Sequence, residues 1–260
     1  MRLSEFTDLS EGPNDPAIFK AIFTAGGPGS GKTFVVKNTA LQSMGFKIVN
    51  SDRQFEYYLK QAGLQSDPQT IYSPQGQEIR QKSVNITDKL KSNYIMGRLG
   101  VVIDGTGKDY YKIATQVQEL QKLGYECAML FVNTNLPTAQ KRNNERDRVL
   151  PKNVVAQMWN AVQENIGKFQ RLFKDNLFII DNSEGHDVQE DLEIAYKTLR
   201  SWANVVPNNK QAKAWLDSQT VKERGSITVP TSGGPISVFP YRPLKIKKST
   251  PGKLNYGDYK

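Results

Sequence analysis

The stretch Gly26-Gly27-Pro28-Gly29-Ser30-Gly31-Lys32-Thr33 constrains this chain more than any other. It meets the P-loop template G-x-x-x-x-G-K-[ST] at every fixed position. Such a loop needs a buried strand before it and a helix after it. Ile18 to Ala25 are apolar and β-prone, and Thr33 to Ser43 read as a helix that ends at Gly45. The glycines let the backbone curl, so that successive N–H groups point at phosphate oxygens, and the helix start adds partial positive charge. Gly27, Pro28, Gly29, Ser30, Gly31, Lys32 and Thr33 are therefore expected to bind nucleotide phosphates. Lys32 would reach the β- and γ-phosphates, and the Thr33 hydroxyl would ligate Mg²⁺. A glycine-rich turn with an incidental lysine would leave both matched flanks unexplained.

The rest of the chain alternates strand and helix. Residues 1–16 are polar, carry Gly12-Pro13 and Asp15-Pro16, and form an irregular lead-in. Phe46 to Asn50 is a second strand, and Ser51-Asp52-Arg53 opens a helix through Gln61 that stops at Gly63. Residues 64–76, with Asp67-Pro68 and Ser73-Pro74, read as a loop. Residues 77–98 read as one long helix with Ile79, Ile86, Leu90 and Tyr94 near one face. Gly100 to Gly107 is a third strand with a polar end, followed by a helix from Asp109 to Leu123 that Gly124 ends. Tyr125 to Val132 is the fourth strand, Leu136 to Arg148 a charged helix, and Pro151 opens a helix up to Phe173. Leu177 to Asp181 is the fifth strand, and Val188 to Trp202 is helical. This alternation predicts right-handed crossovers and a parallel sheet covered on both faces, an α/β three-layer sandwich over 17–204.

Residues 205–224 add a helical extension with Ala212, Trp215 and Leu216 on its apolar side. Residues 225–260 change character, with prolines at 230, 235, 240, 243 and 251 among Lys245, Lys247, Lys248, Lys253 and Lys260. Such a segment is a disordered basic tail or an extended arm. Its cations and the rings of Phe239, Tyr241, Tyr256 and Tyr259 suit single-stranded nucleic acid, and suit a protein groove equally well.

The 260 residues carry a formal net charge of +9, which suits polyanionic partners, nucleic acid first, and equally suits a solvated basic surface with a basic tail. No apolar run approaches the ~18 residues of a membrane span. Met1 to Phe6 has no apolar signal-peptide core. One cysteine, Cys127, excludes an internal disulfide and a multi-cysteine zinc site, and one histidine, His186, excludes a two-histidine metal site. Cys127 sits in an apolar run as a core residue, and His186 sits in a polar turn. A reducing cytoplasm is the expected compartment, and any general base is expected to be a carboxylate.

Three constellations carry chemistry. Asp52 lies at the C-terminal end of the second strand, the sheet edge where ligands bind in such folds. A carboxylate there can take the proton of an attacking hydroxyl, with Arg53 beside it on the acceptor. The structural alternative makes Ser51 or Asp52 the cap of the following helix. Asp104 ends the third strand and is placed near Mg²⁺ or the acceptor, with Thr106 in bonding reach of either. The third constellation is Lys141 to Arg148. Arg142 and Arg146 are four apart and share a helical face, and such guanidinium groups hold a transferring phosphoryl group in a lid over ATP. Arg148 is placed with the nucleotide. The alternative is a solvated charged face paired through Glu145 and Asp147.

The order of these parts resembles the P-loop kinases of the zeta-toxin and polynucleotide-kinase-like group. The matching residues are Gly26 to Thr33, Asp52, Asp104-Gly105-Thr106, Gly124-Tyr125, and the arginines 142, 146 and 148, over about residues 18 to 182. The resemblance implies a sheet order 2-3-1-4-5 and ATP-dependent phosphorylation of a hydroxyl. It implies Asp52 as the base and the lid arginines on the phosphates. Zeta toxins phosphorylate a nucleotide sugar, and polynucleotide kinases a nucleic-acid 5′-hydroxyl. Zeta toxins tend to carry Glu where this chain has Asp104, which leans the likeness toward the polynucleotide kinases. The competing expectation is a non-kinase P-loop protein that binds ATP and works in assembly through its tail.

Overall fold

Five short apolar segments make one parallel sheet. They are β1 (Lys20–Ala25), β2 (Lys47–Val49), β3 (Val101–Ile103), β4 (Glu126–Asn133) and β5 (Leu177–Asp181). Their order is β2-β3-β1-β4-β5, the order that the resemblance implies. The computed structural model describes residues 15–145, 149–224, 227–231 and 234–238. The central strands β1 and β4 are buried almost throughout, as strands covered on both faces must be.

The covering helices are α1 (Lys32–Asn38), α2 (Ser51–Gln61), α3 (Pro68–Tyr72), α4 (Pro74–Met96), α5 (Tyr110–Lys122), α6 (Leu136–Asn144), α7 (Lys152–Gln163), α8 (Ile166–Phe173) and α9 (Val188–Ala203). Alternate strand residues serve opposite faces. Ile22 of β1 joins the cluster that contains Val35 of α1 with Leu192 and Leu199 of α9. The next residue, Phe23, lies 6.0 Å ring to ring from Phe173 of α8 on the other side. Each such buried side chain contributes about 1.5–3 kcal/mol, which is what holds the strand ends in fixed register.

The chain divides into two units, residues 1–214 and 215–260. A further helix, α10 (Lys210–Arg224), runs across that boundary. In the second unit, Ile227–Thr231 (β6) pairs antiparallel with Gly234–Val238 (β7), with Thr228 opposite Ser237. These strands lie in the stretch read as a tail or arm. Residues 239–260, including Phe239, Tyr241, Tyr256 and Tyr259, lie outside the described residues, as do 1–14 of the lead-in. Among the described residues no helix is long and apolar enough to cross a membrane.

Several boundaries differ from the sequence reading, each for a physical reason. Ile18 and Phe19 belong to a turn rather than to β1, and Phe19 takes a left-handed φ of 58°. The helix read over 33–43 ends at Asn38. The Thr39 hydroxyl donates back to Val35 O, Ala40 is left-handed, and Leu41–Met44 continue as a 3-10 turn. The loop read over 64–76 holds α3 and the start of α4. Pro68 and Pro74 are first-turn residues there, each behind a cap, with Asp67 accepting from Thr70 N and Ser73 from Gly76 N. The apolar stripe of α4 is only half-buried, and its buried face is Gly76, Ser83 and Thr87, whose hydroxyls donate to Ile79 O and Ser83 O. The helix read from Pro151 to Phe173 breaks at Glu164–Asn165, where the Asn165 amide turns to the carbonyls of Gly107 and Lys108. Cys127 is a buried core residue as read, and burial pushes its thiol up to about 12.

Candidate functional site

All five strands run the same way, so their C-terminal ends form one edge, and the polar residue after each strand's last apolar position gathers there. After β1 comes the glycine loop. Its first N–H, on Gly26, donates to Thr106 O at 2.9 Å, and Ser30 N closes a turn onto Gly27 O at 3.2 Å. Gly29 and Gly31 take left-handed φ values of 77° and 86°. A Cβ on Gly29 would lie 2.2 Å from Ala139 O of α6, and one on Gly31 2.2 Å from Asn182 Nδ2. Both handedness and space therefore require glycine.

Lys32 Nζ lies 2.5 Å from Gly26 O, folded back to the start of the loop, and Thr33 is exposed at the first turn of α1. The Ser30 hydroxyl is buried and has no hydrogen-bond partner among the described residues. An orphaned buried hydroxyl costs about 1–3 kcal/mol, so it marks a place built for a ligand oxygen. The loop geometry and this orphan fit a phosphate group.

On the β5 flank the sequence reading missed Asn182. It follows β5 directly and is only 7% exposed. Its Nδ2 donates to Ser30 O at 2.8 Å, and its own carbonyl accepts from Arg142 Nη1 at 2.7 Å. Arg142 is thus tied by main-chain contacts to the glycine loop. Helix α6 is stitched to the same turn. Asn135 N donates to Ser183 Oγ at 3.0 Å and Glu184 N to Thr138 Oγ1 at 3.1 Å. The Lys141 ammonium pairs with Glu184 Oε1 at 2.6 Å, which raises the lysine's pKa and lowers the glutamate's. Trp159 of α7 donates its indole N–H to Thr134 O at 2.7 Å, and its backbone passes beside Gly27.

Of the lid arginines, Arg142 alone lies among the described residues. Helix α6, read through Arg148, stops at Asn144 with Glu145 as its C-cap, and the pairing read for Arg142 with Arg146 falls outside the described residues. The buried Asn143 amide ends the helix by bonding Leu150, its Nδ2 to Leu150 O at 2.8 Å and its Oδ1 from Leu150 N at 3.1 Å. Arg146 and Arg148 lie outside the described residues.

On the β2 flank, Asn50 caps α2, in place of Ser51 or Asp52. Its Oδ1 accepts from Asp52 N at 2.8 Å and from Arg53 N at 3.2 Å. The Asp52 carboxylate therefore does no capping. It is 67% exposed and accepts from Arg80 Nη2 of α4 at 3.2 Å. The Arg80 guanidinium lies 5.2 Å over the Phe55 ring. Arg53 is exposed on the same first turn.

Half-buried Asp104 is held at both oxygens, Oδ1 by the Thr24 hydroxyl at 2.5 Å and Oδ2 by Asn50 Nδ2 at 2.7 Å. Thr106 enters the site through its main-chain carbonyl, while its hydroxyl faces Lys108 N at 3.5 Å. Thr24 and Asn50 were also missed. Each is a polar residue at or just past the end of an apolar strand, which was the available signal. Among the described residues no three His, Cys, Asp or Glu side chains gather as a metal site.

The zeta-toxin family model matches residues 7–191 of the chain. Among solved structures, the crystal structure of AvrRxo1-ORF1:AvrRxo1-ORF2 with sulphate ions aligns at 17% identity and a TM-score of 0.51, covering 65% of this chain and 56% of that one. The same complex with ATP aligns at 16% identity and 0.51, over 65% and 56%. The Pnkp1/Rnl/Hen1 RNA repair complex aligns at 17% identity and 0.46, over 58% of this chain and 46% of that one. The chain thus spans little more than half the length of the AvrRxo1 chains it matches. At such identities the likeness is one of fold. No curated protein matches the chain.

Proposed function

The chain belongs to the zeta-toxin family of P-loop, ATP-dependent phosphotransferases, and from that premise we propose that it moves the γ-phosphoryl group of ATP to a hydroxyl of a nucleotide-bearing acceptor, a polynucleotide 5′-hydroxyl first. The observation that carries the reading is the pairing of two features on one sheet edge. A glycine cradle with an orphaned buried hydroxyl follows β1, and an open, non-capping carboxylate follows β2. A protein that only held ATP would need the first and not the second.

In the proposed reaction Asp52 takes the acceptor's proton as the new oxygen–phosphorus bond forms. The bond from the γ-phosphorus to the β–γ bridging oxygen breaks, and ADP leaves. Lys32 and the loop amides hold the phosphates, and Arg142, fixed by Asn182, neutralises charge on the transferring group. Arg146 and Arg148 are assigned to the same charge from their place in the sequence. The Thr33 hydroxyl would hold Mg²⁺, whose positive charge would offset the negative charge of the phosphates when bound.

The net charge of +9 supports a polyanionic acceptor, and the basic segment 225–260 is assigned to hold it, with a protein partner as that segment's second occupant. Membership in the zeta-toxin family supports a nucleotide sugar as the second acceptor class. ATP labelled in its γ-phosphate, offered to 5′-hydroxyl oligonucleotides, nucleosides and UDP-sugars together, tests all of this. The expected result is labelled oligonucleotide, reduced about 10²–10⁴-fold in Asp52→Asn while ATP affinity stays within a few-fold. Label on the UDP-sugars moves the acceptor to the second class. Tight ATP binding with no labelled acceptor overturns the kinase reading in favour of an ATP-binding assembly protein.

A further inference from the structure

We infer that Asp104 is a positioning residue rather than a metal ligand, the centre of a relay that runs from Thr24 through Asp104 and Asn50 to the amides of Asp52 and Arg53. The inference rests on the reading of Asp52 as the base and gives that base its support.

The parallel register creates the relay. Val49 of β2 pairs with Ile103 of β3, and Ile103 pairs with Phe23 of β1. The residues one step further along these three strands, Asn50, Asp104 and Thr24, therefore come up side by side. Asp104 N donates to Val49 O at 3.2 Å, which locks the step between the first two.

Every polar atom in the row then has one consistent role. Gly105 N donates to Thr24 Oγ1 at 3.2 Å, so the Thr24 hydroxyl spends its own proton on Asp104 Oδ1. The other carboxylate oxygen, Oδ2, accepts from the amide nitrogen of Asn50. That contact fixes which end of the Asn50 amide is oxygen, and the oxygen faces the N–H groups of Asp52 and Arg53. Thr24 is 1% exposed and sits on the most buried strand, so the anchor at the far end is rigid.

Asp104, accepting at both side-chain oxygens from protein donors, is engaged as a bracket. The Asp52 side chain has no such fixture of its own. It is exposed and meets a half-exposed arginine, Arg80, among the described residues. What aims Asp52 is the first turn of α2, and what aims that turn is Asn50. The cap is held by Asp104, and Asp104 by Thr24. The chemistry needs the base within hydrogen-bond reach of the acceptor hydroxyl, and small misplacements of catalytic groups are costly.

The test compares Thr24→Val, which keeps the volume and removes the hydroxyl, with Thr24→Ser, which restores it, and with Asp104→Asn as an independent break. Amide hydrogen exchange on the full chain, without substrate, is the first readout. Exchange at Asp52 and Arg53 should quicken roughly tenfold in Thr24→Val and Asp104→Asn and return toward wild type in Thr24→Ser. Unchanged exchange at both amides in the two breaking variants overturns the relay, whatever the activity.

The second readout is kinetic. kcat should fall about tenfold in Thr24→Val with the KM for ATP held within twofold. The Mg²⁺ concentration that half-saturates ATP binding should stay within twofold in Asp104→Asn. A shift of about tenfold or more in that midpoint makes Asp104 a metal ligand and overturns the inference. Failure of the reading of Asp52 as the base shows elsewhere, as full transfer activity in Asp52→Asn, and leaves the exchange result standing on its own.

Discussion

The two flanks of the glycine loop are built differently. Toward β5, Asn182 and Arg142 reach main-chain oxygens in the interior, and Asn182 is 7% exposed. Toward β2, Asp52 and Arg80 meet side chain to side chain in solvent, with Asp52 67% exposed. The foundations differ as well. The β5 flank stands on the main core under β4 and β5, whereas α2, α3 and α4 share a satellite cluster of Phe55, Leu59 and Ile71. Stripping a partner from a buried polar group costs about 1–3 kcal/mol, and an exposed ion pair contributes about 0–1 kcal/mol. The β5 flank, assigned above to the nucleotide, is therefore the more firmly held, and the β2 flank, proposed to take the acceptor, has the weaker ties. The relay through Asn50 ties that softer flank to the sheet by hydrogen bonds.

The sharpest way to break this comparison is to disable the rigid flank. Lys32→Ala should take phosphoryl transfer below detection with an unchanged melting temperature, since glycine geometry rather than the lysine shapes the loop. Wild-type turnover in that variant would detach the loop from the chemistry. Arg142→Ala should lower the transfer rate about 10²–10³-fold and weaken ATP binding far less, read from kcat beside an equilibrium titration. Truncating its support, Asn182→Ala, leaves Ser30 O without its amide donor. It should cost about 1–3 kcal/mol of stability, visible as a melting temperature lower by several degrees.

How much of this was legible in the sequence follows the same divide. The glycine loop was legible because its constraint is local. Eight consecutive residues state the conformation, and the flanking strand and helix confirm it. The sheet and its strands were legible because continuous apolar runs admit few other placements. Pro68 and Pro74 misled because proline both breaks and starts helices, and the caps Asp67 and Ser73 decide which. The α4 stripe misled because Ser83 and Thr87 satisfy their hydroxyls on their own helix and so can face inward. Thr24, Asn50 and Asn182 stayed hidden for a different reason. Their partners lie far along the chain, past the end of β3 for Thr24 and Asn50 and in the glycine loop and α6 for Asn182, and only the folded sheet brings them within reach. The reach of α6 was overread because its charged run looks helical through Arg148, whereas the Asn143 side chain brings it to an end by bonding Leu150.

The smallest effect belongs to the soft flank and is the most discriminating. Arg80→Gln removes a charge that touches Asp52 at 3.2 Å and covers the Phe55 ring at 5.2 Å. Both contacts are partly solvated, so their combined loss should stay near about 1 kcal/mol and lower the melting temperature by only a few degrees. On the kinetic side the Asp52 carboxylate keeps its cap-defined position through Asn50 and loses only a lateral restraint. Transfer should fall about two- to fivefold at low salt, with the KM for ATP unchanged. The deficit should shrink as salt rises, because ions at about 0.5 M screen the wild-type pair and bring it toward the variant. The Asn182→Ala deficit should not shrink, since its lost bond is buried and uncharged. A salt-insensitive Arg80→Gln defect, or one as deep as Asn182→Ala, would mean that the acceptor flank is as firmly held as the nucleotide flank.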